Sequence, residues 1–318
     1  MIMLEVRSMG MKTLQKALGD RLLLDVPLAR YTAARLGGPA DALVTVQSLE
    51  DLVEVIELVW QYEFPYMILG GGSNVLISDA GVRALVIINR ARKLRFEKYA
   101  DTPAVWAESG VNIGVLARQA VQRGFGGLAW AAGIPGTVGA AVIGNAGAHG
   151  GDVAGNLFLA EILHRKGSGR DVKISREQWT VDQMRYSYRN SRLKGQVGSN
   201  AVLSATFRLE PSTTPLEQAK LDDFVAYRRR TQPPGASMGS MFKNPPNDYA
   251  GRLIEAAGLK GKQIGGAQIS ELHANFFINH GDGTAEDIRS LIEMARQEVA
   301  KQFGVELELE IELIGEWS

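Results

Sequence analysis

The spacing of apolar residues predicts that strands and helices alternate in the first part of the chain. One helix is predicted to begin after Ser48, whose hydroxyl suits an N-cap and is followed three residues later by Asp51. Another is predicted after Asn112, a second suitable N-cap, and Gly124 is expected to end it. The apolar face of the first helix consists of Leu49, Leu52, Val53, Ile56, Val59 and Trp60. Strands are predicted at residues 41–46, 66–69, 75–77, 85–88 and 104–108.

The second half of the chain adds strands and one strongly patterned helix. Strands are expected at residues 158–164 and 201–209. The last helix should begin after Thr284, with Asp287 at its third position, and should end at Gly304. Its apolar face consists of Ile288, Leu291, Ile292, Ala295 and Val299. Polar and apolar residues alternate over 305–314, which predicts a closing strand that carries Glu306, Glu308, Glu310 and Glu312.

Two glycine-rich segments interrupt this pattern. The first, at residues 70–74, reads G-G-G-S-N, and the second, at residues 133–151, contains seven glycines among nineteen residues. Glycine inside a helix or strand costs roughly 0.5–1 kcal/mol relative to alanine, so such runs indicate close backbone approach or positive φ. Successive open backbone N–H groups form a concavity that binds anions. A packed turn between core elements is the alternative interpretation.

The first glycine segment does not fit the fingerprint of a Rossmann dinucleotide site. That fingerprint opens a helix, whereas residues 70–74 are followed by the strand-like residues 75–77. We therefore exclude a Rossmann NAD site. Both glycine segments follow strand-rich stretches, about sixty residues apart, and one long ligand such as FAD would account for both.

Composition narrows the class of protein. Lys+Arg and Asp+Glu each total 35, so the formal charge is zero and nothing favours nucleic acid as a partner. The chain has no cysteine, which removes disulfides, thiolate nucleophiles and cysteine metal sites. It has neither a signal-peptide pattern nor an apolar run of about 18 residues, so we expect a cytoplasmic protein without membrane segments. Its four histidines lack metal-ligand spacing, and no metal is expected.

Five motifs occur together in one order along the chain. They are G-G-G-S-N at 70–74, G-I-P-G-T-V-G-A at 133–140, Y-R-N-S at 188–191, G-S-M-F-K-N-P at 239–245 and the C-terminal Glu310. With this combination the chain resembles the UDP-N-acetylenolpyruvoylglucosamine reductase family over about residues 20–316. The branch that lacks a tyrosine-bearing substrate loop is the more similar one. The resemblance implies an α+β fold, in which an FAD-binding region of the vanillyl-alcohol-oxidase (PCMH) type in two subdomains precedes a C-terminal α+β substrate domain.

The expected domain boundaries combine this resemblance with local signals. Pro211 and Pro215, with hydroxyl residues between them, predict a linker. Four methionines among the first eleven residues indicate Met11 as the true start of the protein, with residues 1–10 as a poorly ordered extension. The expected regions are an N-terminal extension at 1–19, FAD-binding subdomain 1 at 20–92 joined by a C-terminal strand at 305–318, FAD-binding subdomain 2 at 93–212, and a substrate-binding domain at 213–304.

The resemblance implies a specific reaction. It is the NADPH-dependent reduction of UDP-N-acetylglucosamine enolpyruvate to UDP-N-acetylmuramate in peptidoglycan precursor synthesis. Hydride passes from N5 of non-covalent FAD to the terminal enol carbon, and a serine protonates the neighbouring carbon. Because negative charge develops on the substrate carboxylate, the site needs groups that stabilise it and one proton donor. By the resemblance Ser240 is the donor, Arg189 binds the carboxylate, and Glu310 is a protonated catalytic glutamate.

The same resemblance assigns the binding residues. The cofactor is expected to bind Gly70, Gly71, Gly72, Ser73 and Asn74 in the first segment, and Gly133, Ile134, Pro135, Gly136, Thr137, Gly139, Ala140 and Gly144 in the second. The substrate is expected to bind Arg228, Lys243, Asn244 and Gln268. The chain departs from the family at two places. Thr231 stands where many members carry lysine, and the sequence around Glu310 is L-E-I-E, which leaves Glu308 and Glu312 as alternatives.

Several alternatives stay open at the level of sequence. Gln268, Glu271, His273 and Asn275 either line the pocket or are satisfied polar groups of the core. A covalent flavin link through His149, which lies in the second glycine segment, is the alternative to non-covalent FAD. The alternative functions are a flavin oxidase of the same fold and a non-catalytic protein that binds flavin or nucleotide. We expect a small-molecule substrate and a monomer.

Overall fold

The computed structural model describes residues 2–167, 173–196 and 198–317. The α-helices of these residues are Ile2–Leu18 (α1), Leu49–Gln61 (α2), Ile113–Gln122 (α3), Val138–Gly144 (α4), Val153–Asn156 (α5), Val181–Met184 (α6), Thr214–Thr231 (α7), Ala250–Ala256 (α8) and Ala285–Phe303 (α9). Short 3₁₀ helices cover Gly19–Arg21, Leu28–Tyr31 and Ala129–Ala131. In the described part of the chain, no helix is both long and apolar enough to cross a lipid bilayer.

Eighteen strands are formed by the described residues. They are Leu23–Pro27 (β1), Pro39–Val46 (β2), Tyr66–Leu69 (β3), Val75–Ile77 (β4), Val82–Asn89 (β5), Leu94–Tyr99 (β6), Thr102–Glu108 (β7), Phe125–Gly126 (β8), Gly147–Ala148 (β9), Gly151–Asp152 (β10), Leu157–Lys166 (β11), Lys173–Thr180 (β12), Asn200–Arg208 (β13), Glu210–Pro211 (β14), Gln263–Ile264 (β15), Ala267–Ile269 (β16), Phe277–Asn279 (β17) and Glu312–Ile314 (β18). A strand forms at each position predicted from alternation, most of them within three residues of the predicted bounds, but the closing strand is much shorter than expected.

The chain folds into two compact units, each assembled from three stretches of sequence. Unit 1 consists of Met1–Leu24, Ala42–Gly70 and Ala84–Val225, and unit 2 consists of Asp25–Asp41, Gly71–Arg83 and Ala226–Ser318. Where a linker is predicted around Pro211 and Pro215, the last two of its residues, Thr214 and Pro215, already form the first turn of α7. Proline is tolerated in the first turn of a helix, where its missing N–H has no intrahelical partner.

A five-stranded antiparallel sheet forms the centre of unit 1, in the order β12-β11-β13-β7-β6. Its inner face packs on α3 and α4 around Val105, Leu116, Val138, Ile162 and Phe207. A second apolar cluster lies along α2 and includes Leu52, Ile56, Trp60, Leu85 and Leu203. Strand β3 pairs in parallel with β5 and ends at the buried Leu69, so the first glycine segment begins directly after this strand.

Helix α1 occupies the segment that was expected to be an N-terminal extension. Leu14 is fully buried and Leu18 is also buried, and both belong to the apolar cluster of α2. Met11, Leu14 and Leu18 recur at intervals of three and four residues, which is the spacing of an amphipathic helix. Leu14 and Leu18 are therefore part of the core of unit 1, and the helix that carries them begins at Ile2.

Two predicted helix starts in unit 1 are confirmed. Ser48 Oγ accepts a hydrogen bond from Asp51 N at 3.1 Å, and Asn112 Oδ1 accepts one from Val115 N at 2.9 Å. Each side chain satisfies a backbone N–H that has no partner inside the helix. The predicted face of α2 is buried.

Helix α9 organises the core of unit 2. Thr284 and Asp287 form a reciprocal capping box, and Gly304 ends the helix with φ of +66°. The predicted apolar face is fully buried, and it packs on the three-stranded sheet β15-β16-β17. Asp79 adds a second cap, because its carboxylate accepts from the first two N–H groups of α9 at 3.0 and 3.1 Å. The prediction for this helix is confirmed at both ends.

The C-terminal strand is shorter than the ten residues predicted. Only β18 forms a ladder, in parallel with β4. The alternation over residues 305–311 is real, since Leu307 and Ile311 are buried. Among the described residues, however, that stretch forms a single isolated bridge rather than a ladder. Alternating burial therefore arises here from extended backbone that lies on the core of unit 2 without belonging to a sheet.

Candidate active site

The two glycine-rich segments meet within unit 1 at Gly70 and Thr137. A Cβ added to Gly70 would lie 2.4 Å from Thr137 Oγ1 and 3.0 Å from its Cγ2, so residue 70 has no room for a side chain. Thr137 is buried and occupies the N-cap position of α4. Because of this contact the start of the first glycine segment lies directly beside the second segment. One ligand can bind both segments only if they lie close together.

The second glycine segment presents backbone donors that the protein itself does not use. The N–H groups of Val138 and Gly139 donate to carbonyl oxygens of the turn before α3, both at 2.8 Å. In contrast, those of Gly136, Thr137 and Ala140 donate to no acceptor among the described residues. Three open N–H groups within five residues form an anion-binding concavity of the kind that holds a pyrophosphate. The segment therefore fits the diphosphate of FAD.

The rest of the first segment, residues 71–74, belongs to unit 2. Gly72 has φ of +59°, and a Cβ there would lie 2.1 Å from Tyr31 O, so only glycine fits. Asn74 Nδ2 donates to Glu310 O at 3.1 Å, and Asn74 O accepts from Glu312 N at 3.0 Å. The segment is thus tied to the C-terminal stretch that carries the predicted catalytic glutamate.

Arg189 lies in a loop that is held against the second glycine segment in unit 1. Tyr186 Oη and Ser191 Oγ donate to carbonyl oxygens of α4 at 2.9 and 2.6 Å. Burial raises the pKa of Tyr186, so its hydroxyl remains a donor. Arg189 Nη1 donates to Gly147 O at 3.1 Å, and its backbone has φ of +53°. A left-handed conformation costs roughly 1–2 kcal/mol for a non-glycine residue, so the loop is held in a demanding geometry.

Backbone pairing within unit 2 brings Ser240 and Glu310 together. Glu310 N donates to Met241 O, the residue after Ser240, at 2.9 Å, and Phe242 forms an isolated bridge with Leu309. Ser240 is partly buried. No other described residue forms a hydrogen bond with its hydroxyl. The predicted proton donor and the predicted glutamate are therefore on neighbouring paired segments, and no residue of the described ranges competes for the serine hydroxyl.

Burial separates Glu310 from the other three C-terminal glutamates. Glu310 is partly buried, whereas Glu306, Glu308 and Glu312 are exposed. Glu308 instead forms an ion pair with Lys243. A neutral carboxylic acid is favoured only where water is partly excluded, so this difference supports Glu310 over its neighbours as the catalytic glutamate.

Three of the predicted substrate residues have local roles in unit 2. Lys243 pairs with Glu308, and Asn244 Oδ1 accepts from Ala250 N at 3.1 Å, which caps the first turn of α8. Arg228 is partly buried in the last turn of α7, where a cation complements the helix dipole. The contacts of Lys243 and Asn244 orient these two side chains but do not by themselves identify a substrate.

Sequence analysis left open whether Gln268 and Asn275 line the pocket or are satisfied polar groups of the core, and the structure shows hydrogen bonds for both. Gln268 Nε2 donates to Gly261 O at 3.2 Å, and its Oε1 lies 2.9 Å from His280 Nε2. Asn275 is buried, and its side chain binds the backbone of Phe242 with both ends. Asn275 is therefore a satisfied polar group of the core.

His273 in unit 2 and His149 in unit 1 each contact another group of their own unit. His273 Nδ1 accepts from Asn275 N at 3.2 Å, and burial lowers the pKa of His273, which favours this neutral acceptor form. Glu271 beside it is exposed. The ring of His149 stacks on Phe224 with centroids 4.3 Å apart and planes at 11°. Within the described residues, no cluster of three or more histidine, aspartate or glutamate side chains could hold a metal ion.

Sequence analysis did not single out Asn145, whose side chain links the second glycine segment to the loop that carries Arg189. Asn145 follows the last residue of α4 with φ of +45° and is buried. Its Nδ2 donates to Ser187 O at 3.2 Å, and its Oδ1 accepts from Ala154 N at 3.0 Å. The available signal was its position directly after a helix, where asparagine tolerates the left-handed conformation.

The contact between Gly70 and Thr137 gives a first prediction. In Gly70→Ala the new methyl group would overlap Thr137, so the two glycine segments must separate. We expect the dissociation constant of FAD to rise about tenfold or more, which corresponds to about 1.4 kcal/mol. Fluorescence titration of the apoprotein with FAD measures this change.

Gly155→Ala is the matched control. Gly155 is exposed, and a Cβ there would have its nearest neighbour at 3.5 Å, an ordinary contact. Its affinity for FAD should equal that of the unaltered chain. Equal affinity of the Gly70→Ala protein would show that this close approach does not shape the cofactor site.

Comparison with known proteins agrees with this arrangement. Residues 231–314 match the family described as UDP-N-acetylenolpyruvoylglucosamine reductase, C-terminal domain, and residues 40–165 match the family described as FAD binding domain. The chain is 44% identical over 292 residues to the UDP-N-acetylenolpyruvoylglucosamine reductase of Rubrobacter xylanophilus, which covers 92% of this chain and 95% of that one. It is 40% identical to the reductase of Chloroflexus aggregans over 292 residues, with coverages of 91% and 96%.

A solved structure extends the similarity to the fold. The UDP-N-acetylenolpyruvylglucosamine reductase of Thermus caldophilus superposes with a TM-score of 0.74 at 32% identity, and the match covers 91% of this chain and 97% of that one. The expected α+β fold is confirmed, with an FAD-binding region followed by a C-terminal domain of the reductase family. The chain belongs to the UDP-N-acetylenolpyruvoylglucosamine reductase family.

Proposed function

We propose that the chain reduces UDP-N-acetylglucosamine enolpyruvate to UDP-N-acetylmuramate, the reaction of a UDP-N-acetylmuramate dehydrogenase in peptidoglycan precursor synthesis. The observation that carries the proposal is the backbone bond from Glu310 N to Met241 O, which sets the expected proton donor beside the expected glutamate. It occurs in a chain about 40% identical to reductases of this name over nearly its whole length.

FAD and NADPH are the cofactors. When bound, FAD supplies the hydride, which it receives from NADPH. The open N–H groups of Gly136, Thr137 and Ala140 would hold the diphosphate, and Gly70 provides the close approach that its position requires. We propose that the remaining predicted residues of the two glycine segments line the same cofactor.

Ser240 is the proposed proton donor. A serine hydroxyl is a weak acid in water, but the carbon next to the carboxylate becomes strongly basic once hydride has been added to the terminal carbon. The hydroxyl proton of Ser240 would pass from Oγ to that carbon. The absence of a hydrogen bond to this hydroxyl among the described residues supports the assignment, because Oγ then needs to give up no protein partner.

Arg189 is the proposed partner of the substrate carboxylate. Its planar guanidinium can donate two parallel hydrogen bonds to a carboxylate. The left-handed backbone and the bond to Gly147 O fix the direction of the side chain before substrate arrives. Pre-orientation of this kind stabilises developing charge without reorganisation during the reaction.

Glu310 is proposed to act as a neutral hydrogen-bond donor to the same developing charge. Glu310→Gln keeps a donor of similar size, whereas Glu310→Ala removes it. We expect the rate of the substrate half-reaction to fall about tenfold in Glu310→Gln and roughly a hundredfold in Glu310→Ala. Rapid-mixing measurements of flavin reoxidation give both rates.

Glu312→Gln is the control for this series, because Glu312 lies in the same stretch but is exposed. It should react as the unaltered chain does. If both Glu310 variants kept the normal rate while a variant of Glu308 or Glu312 lost it, the catalytic glutamate would have been wrongly assigned.

The UDP-sugar is proposed to bind Arg228, Lys243, Asn244 and Gln268. Arg228 is a candidate for the diphosphate because it is a partly buried cation, and its role would be the greater since Thr231 replaces the family's common lysine. The ion pair of Lys243 with Glu308 and the cap formed by Asn244 hold both residues next to the segment that carries Ser240.

Consumption of NADPH tests the function as a whole. With UDP-N-acetylglucosamine enolpyruvate present, NADPH should disappear in proportion to the UDP-N-acetylmuramate formed, and hydrogen peroxide should not accumulate. Consumption that depends on oxygen and yields peroxide would favour the flavin oxidase. A protein that binds FAD and neither oxidises NADPH nor alters the sugar would be the non-catalytic binder.

The visible spectrum of the protein separates the two modes of flavin binding. After heat denaturation, yellow colour in the supernatant indicates non-covalent FAD, as we propose. Colour that stays with the precipitate indicates a covalent link and points to His149. Cytoplasmic localisation and the monomeric state stay predictions from the sequence.

A further inference from the structure

One buried amide in unit 2 holds the segment that carries Ser240. Asn275 is 3% exposed. Its Oδ1 accepts from Phe242 N at 2.9 Å, and its Nδ2 donates to Phe242 O at 2.8 Å. Its own carbonyl accepts from Met241 N at 2.8 Å. One residue thus fixes the two positions that directly follow the serine.

This contact requires an amide at residue 275. Phe242 offers one donor and one acceptor, and a side-chain amide presents the matching acceptor and donor on one short, planar group. Alanine would leave both backbone groups of Phe242 unpaired in a buried place. The fit therefore depends on the chemistry of asparagine and not merely on its size.

Backbone pairing with neighbouring segments holds the residues around Ser240 less firmly than the side chain of Asn275 does. Ser240 forms only an isolated bridge with Phe276, and Phe242 only an isolated bridge with Leu309. An isolated bridge fixes a backbone less firmly than a continuous ladder. The amide of Asn275 supplies the bonds that a regular sheet would otherwise have provided at Phe242.

We propose that Asn275 is a positioning residue for Ser240, acting through the backbone of Met241 and Phe242. The proposal rests on the proposed role of Ser240 as proton donor. A displacement of about 1 Å in a reacting group can lower a rate about a hundredfold, so the bonds of Asn275 would matter to proton transfer although Asn275 itself does not touch the substrate. NADPH oxidation involves no proton from Ser240 and would not depend on Asn275.

Asn279 offers a matched control in the same unit. It is 5% exposed, and its side chain also binds backbone groups with both ends: Nδ2 donates to Ala34 O at 2.9 Å, and Oδ1 accepts from Gly281 N and Gly283 N at 2.9 and 3.1 Å. None of these partners adjoins Ser240 in the chain. Asn279→Ala should therefore lower stability as Asn275→Ala does, without affecting proton donation.

The test uses the full chain loaded with FAD and measures each half-reaction separately under anaerobic conditions. In Asn275→Ala, reoxidation by the enolpyruvyl substrate should slow by about tenfold to a hundredfold, while reduction by NADPH stays normal. In Asn279→Ala both half-reactions should stay normal, although its melting temperature falls. If Asn275→Ala does not fold, Asn275→Ser retains one hydroxyl for Phe242 and should show the same selective loss to a smaller extent.

A double variant shows whether Asn275 acts through Ser240. Once Ser240→Ala has removed the donor, Asn275→Ala should slow reoxidation little further, because both changes act on one step. Full additivity, or equal slowing of both half-reactions, would overturn the positioning role and leave the donor role of Ser240 intact. Normal reoxidation in Ser240→Ala alone would overturn the donor role and the positioning role together.

Discussion

Ser240→Ala should slow reoxidation of the reduced flavin by the enolpyruvyl substrate by roughly a hundredfold to ten-thousandfold, the usual contribution of a general acid. The alanine removes only the hydroxyl, and no described residue depends on that hydroxyl for a hydrogen bond. The fold should therefore be unchanged. Reduction by NADPH should keep its normal rate, because hydride transfer to the flavin needs no proton from this residue. Rapid mixing of each half-reaction measures the two rates.

Ser237→Ala is the control for this prediction. Ser237 lies three residues earlier in the same segment and is partly buried, as Ser240 is. Its variant should show normal rates in both half-reactions. Equal losses in both half-reactions of Ser240→Ala would indicate damage to the flavin site and would remove Ser240 from the role of proton donor.

Arg189→Lys should also slow the substrate half-reaction strongly. Lysine keeps the positive charge but loses the planar fork that can bind both carboxylate oxygens. A hydrogen bond to a charged group contributes about 1.5–3 kcal/mol, so the efficiency of the substrate half-reaction should fall roughly tenfold to a hundredfold. Reduction by NADPH should be unaffected. Rates measured over a range of substrate concentrations separate weaker binding from slower chemistry.

Arg192→Lys tests whether the loss is specific. Arg192 belongs to the same loop, but it is exposed and lies over the ring of Trp179 at 4.8 Å. Its replacement should leave both half-reactions unchanged. If Arg189→Lys were as active as the unaltered chain, or if Arg192→Lys lost as much activity, the carboxylate would have another partner.

Local patterns in the sequence were sufficient where one helix carries its own signals. The apolar face of α9 follows from the spacing of apolar residues along the helix. Its capping box and its terminal Gly304 follow from side-chain chemistry within about one turn of each end. The same holds for Ser48 at the start of α2 and Asn112 at the start of α3. Motif order led to the prediction of Ser240 and Glu310 as catalytic residues, and the structure adds that their segments are paired.

Long-range contacts explain what the sequence could not predict. Alternation over 305–311 predicted a strand, but a ladder needs a partner, and alternating burial alone does not reveal whether one exists. The approach of Gly70 to Thr137 joins residues far apart in the chain, so the glycines indicated that some contact existed without showing which one. Asn275 was visible as a polar residue in an apolar stretch. Only the coordinates show that its partner is Phe242.

The most direct test of the account follows the flavin absorbance of the FAD-loaded chain without oxygen. The protein is first reduced with NADPH and then mixed with UDP-N-acetylglucosamine enolpyruvate. We expect the oxidised spectrum to return at once, with one equivalent of UDP-N-acetylmuramate formed for each flavin. A flavin that stays reduced until oxygen is admitted would contradict the proposed reaction and would favour an oxidase with another substrate.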